Sequence, residues 1–462
     1  MKANSLTWVL PAVVLAVYLP LVFYGMQPSV DVAYQWKQAT GQAPVNDWHP
    51  IMHTYLIHLI AYVARTLKGV AIVQVCVFAF LLDLLYVTFR RYSYCRWASA
   101  LIVLVAAFNP FSMAIFRFLW KDTAFALAGL SVTICLIHIF ETRGDWLTGW
   151  RIALMALCLT GATFMRHNGF FYTVPLMLLL PAAVARRNIR KSALCIGVSA
   201  LCCVGYLFVR SQLTRHRIIK PRPKVQCFVE SVGLPMSMIS ECYMSDRSKT
   251  PDDVVRFLES FGDREFWERT YDGDFNSVKW AGDNTKRRIY ALGKRRFFGM
   301  FWRTVKANPC AALRSFMHVT SIAWSPLPDS IDACAYFTRP ERNAVLKAFE
   351  WYFRMMVHSR LGAIAMTPGG YLLLVALAFC CGVRRGGARI CVLAIPLLCY
   401  QFGTMLLLTG KDYRFFYITV LCGAAVCLPI FSQARNQDPE IVNRAIAHFW
   451  RAWPRPPQSH KK

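Results

Sequence analysis

"NDWHPIMHTYLIHLI", Asn46 to Ile60, decides how the whole chain is threaded. An acid, an indole, an imidazole and a proline give way to Ile51, Met52, Tyr55, Leu56, Leu59, Ile60 and Val63 at helical spacing, with His53, Thr54, His58 and Arg65 interrupting the run. As an amphipathic helix lying in an outer membrane interface, Ile51 to Arg65 does not span. As a span, it would reverse the side of every loop that follows.

The question arises because the chain reads as a membrane protein. Of 462 residues 56% are hydrophobic and 14% aromatic, with a mean hydropathy of +0.35, above the roughly 45–50% apolar usage of soluble domains. Apolar stretches approaching the ~20 residues that cross a bilayer recur along its length. They run Trp8 to Met26, Val70 to Phe89, Ala98 to Phe116, Thr123 to Phe140 and Ile152 to Met165, then Phe170 to Val184, Ala193 to Val209, Leu361 to Val383, Ile390 to Leu408 and Phe415 to Phe431. The expected fold class is all-α, a polytopic bundle of about ten transmembrane helices.

Lys and Arg number 53 against 25 Asp and Glu, a balance that elsewhere would suggest nucleic acid. Here many of the cations sit in short loops: "RRYSYCR" (90–96), 141–151, "RRNIRK" (186–191) and "RRGGAR" (384–389). With a cytoplasmic N-terminus and a non-spanning 51–65, all of these fall inside, as the positive-inside rule requires. The implied organisation is an N-terminal bundle, 1–210, with a first external loop at 27–50 and an interfacial helix at 51–65. A mainly helical extracytoplasmic domain follows over 211–360, then C-terminal transmembrane helices over 361–433 and a cytoplasmic basic tail, 434–462. Both termini are cytoplasmic in this cell-membrane topology, membrane lipids are the surroundings and no nucleic acid is implied.

Among the 17 cysteines, Cys227, Cys242, Cys310 and Cys334 fall in the exported segment, where two disulfides are an option. No internal repeat is visible, which counts against transporters built from duplicated halves. No P-loop or dinucleotide glycine motif supports a nucleotide-sugar donor. Asp83, within a span and near its cytoplasmic end, reads as a structural partner of Arg90 or of another helix.

With the arginine clusters sent inside, the charges left at the outer helix ends form a short list. Asp31, Lys37, Asp47, His49 and Arg65 lie near the first loop, Arg117 precedes Lys121 and Asp122 of "LWKDTAFAL", Arg166, His167 and Asn168 lie in "FMRHNGFF", and Lys411, Asp412 and Arg414 in "GKDYRFFYITV". Any one of these motifs can be explained as helix capping and snorkelling; their coincidence on one face is harder to explain that way. The stretches flanking Arg166 are only about 21 to 23 Å long at 1.5 Å per residue, short of the ~30 Å core. Arg166 is therefore expected in a recess, where a buried cation implies a wet cavity or an anion.

These motifs, with "SVDVAYQWKQATGQAPVNDWHP" directly after the first span, resemble the GT-C class of polytopic glycosyltransferases, closest to a bacterial group of them. The resemblance implies transfer of a sugar from a polyprenyl-phosphate donor to a cell-envelope glycan or protein acceptor outside the membrane. In that pattern a first-loop acid is the catalytic base, and Asp31 occupies its place. Many members carry two acids close together; here the second is Asp47, so the base assignment is open between the two. The reaction needs a carboxylate to take the acceptor proton and cations to neutralise the departing phosphate. Arg166, Lys411 and Arg414 are the candidate phosphate ligands, with Lys121 in a lesser role. Trp48, His49, His53, Asp122, His167, Asn168 and Tyr413 are candidate substrate or loop contacts. No cofactor is assigned, and Asp47, His49 and His53 offer a set for a divalent metal. A lipid-linked glycan polymerase or ligase, and a transporter or lipid flippase, are the alternative readings.

Overall fold

A computed structural model describes residues 6–281, 284–327 and 343–435 of the chain. Among the described residues it is helical throughout, and the one β-bridge joins Asn46 to Lys220. The tail from residue 436 and Cys334 lie outside the described residues.

Each of the ten apolar stretches is helical. Five helical segments are long and apolar enough to cross a membrane: Leu67–Arg91, Lys121–Glu141, Arg186–Arg215, Gly387–Met405 and Tyr413–Ser432. The number reaches eight when three bent pairs count as single spans. Those pairs are Val9–Gly25 with Val30–Ala39, Arg96–Phe108 with Pro110–Phe116, and Arg360–Met366 with Pro368–Arg384. Proline at the start of the second helix explains the last two bends, since it has no N–H for the previous turn and disfavours helix at the residue before it. Gly149–Phe164 and Phe170–Ala183 are shorter apolar helices.

The outer surface of this bundle fits a lipid environment. On the Arg186–Arg215 segment only 17% of the apolar window is buried, and Leu201, Val204 and Phe208 are exposed. The Ile51–Ala64 helix is inverted relative to a soluble one. Its buried face holds Ile51, His53, Thr54 and Ile57, whereas Leu59, Tyr62 and Val63 are 68 to 82% exposed. An apolar outer face and a polar inner one suit a helix at a membrane boundary.

The basic loops meet at one end of the bundle. Tyr94 donates to Glu141 at 2.5 Å, Arg389 to the Phe140 carbonyl at 2.6 Å, and the Ala185 amide to the Arg143 carbonyl at 2.8 Å. Asp83 does not pair with Arg90, the first of the two partners the sequence offered. Two helical turns separate them, and Arg90 caps the Tyr94 carbonyl at 2.6 Å.

The 211–360 segment is divided between two cores. Phe228, Met236, Ile239, Trp267, Phe297 and Met300 belong to a separate helical unit. Ile322 and Ala323 on Pro309–Trp324, and Leu346, Phe349 and Phe353 on Ala344–His358, join the main bundle core instead. Amphipathic helices with one apolar stripe carry no label for which core that stripe will join. Of the cysteines in this segment, the described Cys227, Cys242 and Cys310 are free thiols. Gly233 lets this unit touch the bundle: a Cβ there would lie 2.7 Å from the Thr409 backbone, and the Leu234 amide donates to the Leu408 carbonyl.

Candidate functional site

At the end of the bundle opposite the basic loops, six stretches far apart in sequence come together. The Lys121–Glu141 helix begins here and ends at the basic loops, about 30 Å away for 21 residues. Asp122, in its first turn, pairs with Arg166 at 2.6 Å, and both side chains are buried. Arg166 follows the C-terminus of Gly149–Phe164. An acid at a helix N-terminus and a cation at a C-terminus each complement the local dipole, so the two ends attract for two reasons. Arg166 also donates to Tyr400 Oη at 3.2 Å and the Phe415 carbonyl at 3.0 Å, and lies over the Phe415 ring. Arg166 is thus a buried cation between the two short helices, and the anion it meets is an internal aspartate.

Asp31 occupies the first turn of Val30–Ala39, where the Ser29 hydroxyl caps the Val32 amide. Its carboxylate is 35% exposed and lies 3.4 Å from Arg414 Nη1. Arg414 is fixed more closely by Asp412, 2.6 Å from its Nε, and stacks on Trp120 at 4.8 Å. Trp120 in turn donates to Ser29 Oγ at 2.9 Å, so ring, cap and guanidinium form one support beneath Asp31. Asp412 also accepts from the Arg414 amide, capping the turn that begins Tyr413–Phe416, while Tyr413 is buried against Phe111.

Lys121 donates to His49 Nδ1 at 3.4 Å and lies within electrostatic reach of Asp122, Arg414, Asp31 and Arg166. Burial, then the Lys121 charge, lowers His49 from its ordinary value to about 2. The same two causes lower His53 to about 3, against a smaller opposing pull from Asp122. Both imidazoles are therefore neutral at physiological pH. His53 Nδ1 donates to Gln35 Oε1, whose amide nitrogen donates to Thr54; His53 Nε2 is buried without a hydrogen-bond partner.

Asp47 has a different environment from Asp31. It is buried and bound by both Arg210 and Arg222, the latter at 2.7 Å. Arg222 extends the link to exposed His167, which donates to the Trp48 carbonyl. With the Asn46–Lys220 bridge, this fastens the first loop to the chain that leaves Ile189–Arg215. Asp47 acts as a structural clasp, and Asp31 is the more accessible carboxylate.

One expectation changes, and two site residues gain partners within the chain. The Asp47, His49, His53 metal set is not assembled: Asp47 faces two arginines, and among the described residues no group of three or more potential ligands could hold a metal. Lys411 donates to His318 Nε2 at 2.6 Å, and its amide donates to Asp274, tying the last loop to the second unit. Asn168 donates to Thr404, bracing two helix ends at 2.7 Å. Lys121 gains weight, because its closest polar contact is a neutral imidazole whereas Arg166 is already matched by Asp122. Sequence reasoning missed Arg210, Arg222, Gln35 and Tyr400. Only Arg222, within the basic "KPRPK" run (220–224), carried a visible signal, and that was one of charge rather than partner. No protein-family model matches the chain, and no curated protein matches it at a significant level.

Proposed function

We propose that the chain is a membrane glycosyltransferase that takes a sugar from a polyprenyl-phosphate donor at the Asp31 end of the bundle. The observation that carries this reading is a partly exposed carboxylate, Asp31, set beside Lys121 and Arg414 on a rigid aromatic and ion-paired base. In the reaction the acceptor hydroxyl oxygen bonds to the anomeric carbon as the bond from that carbon to the phosphate oxygen breaks. Asp31 takes the hydroxyl proton, and the polyprenyl phosphate leaves with the electron pair. Lys121 and Arg414 neutralise the growing phosphate charge, and the Arg166–Asp122 pair holds the helix ends that present them. Lys supplies a point charge and Arg a planar donor fork, a combination suited to a phosphate.

In this proposal the chain crosses the membrane ten times, counting the two short helices beside Arg166. Contacts of the basic loops at one end, and of Asp31, Asp122, Arg166 and Arg414 at the other, support that alternation. Both termini then lie on the cytoplasmic side, with the second unit and the site outside.

The test uses purified protein in lipid nanodiscs with a panel of polyprenyl-phosphate sugars. Native protein should consume one donor and release polyprenyl phosphate. Asp31→Asn should retain donor binding and lose turnover by about 10²–10⁴-fold, the usual worth of a general base. Equal turnover in Asp31→Asn overturns the base assignment. Movement of intact donor across proteoliposomes without consumption would establish the flippase reading in its place.

A further inference from the structure

Two recesses open on the second unit, and neither is lined by a residue of the Asp31 cluster. Each is a shallow, open depression of about 610 Å³, and they share Gly293 and Lys294. One is lined by Lys294, Arg295, Arg296 and Arg303. The other runs between Lys224 and Ser231 on one helix and Tyr290 on another. No acid lines either recess.

Structural duties do not account for this charge. Arg303 is matched by Asp253 at 2.5 Å, but Lys224, Lys294, Arg295 and Arg296 form no ion pair among the described residues. Three of these four are consecutive in the first turn of Lys294–Ala307, where the positive end of the helix disfavours cations. Gly293, at φ +75°, precedes them and supplies no side-chain cap. Like charges gathered side by side around a shallow recess and opposed by a helix dipole are a local cost that a bound anion offsets.

We propose that these recesses form one groove for an extended anionic glycan, held by Lys224, Lys294, Arg295 and Arg296, with Tyr290 as a face for a sugar ring. The tyrosine is 40% exposed, and an aromatic face beside cations suits a charged sugar chain better than an isolated small anion. The contribution of two separate helices, with Tyr290 on a third, distinguishes the groove from a single basic helix face resting on lipid headgroups. The groove also starts close to the charged site. Lys224 is two residues beyond Arg222, which binds Asp47 and His167. Naming the glycan an acceptor rests on the transferase reading; its binding does not.

Full-length protein in phosphatidylcholine nanodiscs, titrated with fluorescent oligogalacturonate and with its neutral methyl ester, tests the proposal. The acid should bind at least about tenfold tighter than the ester, with the preference falling as salt rises. Lys224→Gln/Arg295→Gln/Arg296→Gln should lose at least about tenfold, as expected for three exposed charge contacts. Should that variant fail to fold, Lys224→Gln and Arg296→Gln, on separate helices, should each lose about twofold or more. Asp31→Asn should bind the oligomer as native protein does, so the groove and the transferase reading can fail separately. Equal binding of acid and ester, or native affinity in the charge variants, overturns the proposal. So does a triple variant that loses association with phosphatidylglycerol vesicles while keeping oligogalacturonate affinity, which would assign the cations to lipid.

Discussion

Arg187 and Arg166 each meet an aspartate at 2.6 Å, yet the two pairs sit in opposite settings. Arg187 and Asp145, at the basic end, are 73% and 48% exposed; Arg166 and Asp122, at the other end, are 8% and 1% exposed. Water and salt screen the first pair, and its side chains gain little by staying together. The second is shielded from water, so losing either partner leaves a buried charge without compensation. Length of contact therefore says little about weight. What differs is the surroundings: the basic end leaves its charges to solvent, while the other end holds charges in fixed places.

The comparison can be broken most directly by removing one member of each pair. Asp122→Ala should destabilise the protein by about 3–5 kcal/mol, the usual result of orphaning a buried ion-pair partner. Arg187→Gln should leave the melting temperature within the scatter of repeat measurements. Thermal unfolding followed in detergent at equal protein concentration checks both, and similar losses would show that burial does not separate the ends.

A second contrast sets Arg414 against Arg384. Arg414→Gln should weaken binding of a polyprenyl-phosphate sugar by about ten- to a hundredfold, or 1.5–3 kcal/mol for a charge-assisted contact. Arg384→Gln, on the basic side, should leave binding unchanged. Equal effects in a donor-binding titration would remove Arg414 from the phosphate site.

Acid should sharpen the same division. His49 and His53 are lowered by burial to about 2 and about 3, against an ordinary value of 6.5. Below pH 6.5 the unfolded chain binds protons that the folded chain does not, so stability falls with pH across the window from 6.5 toward 3. Between pH 7 and pH 5 the loss should reach about 2 kcal/mol for each histidine. His53→Asn should reduce that acid sensitivity in pH-dependent melts, and an unchanged profile would show that His53 is not held neutral.

The smallest perturbation uses cysteines already present. Cys310 on the second unit and Cys95 in a basic loop are both exposed. In intact cells a membrane-impermeant maleimide should label Cys310 and spare Cys95 when the other exposed cysteines are replaced by serine. The reverse pattern would invert the membrane orientation and place the Asp31 site inside.

Hydrophobic runs and loop charges were enough to indicate helical class, helix positions and the two ends of the bundle. Burial of an apolar stretch and clustering of cations are properties that a segment carries by itself. Asp31, Lys121, Asp122, Arg166 and Arg414 were also legible as charged groups at turns on one side. Their partners were not, because an ion pair across 383 residues, as between Asp31 and Arg414, is fixed by how helices pack. Only tertiary structure separated Asp31 from Asp47, since both are acids of one loop and differ in which distant arginines reach them. It also turned Lys411 toward His318 and gave helix 344–358 to the main core. An amphipathic stripe or a flexible cation specifies that it needs a partner, and the packing of the chain decides which one it meets.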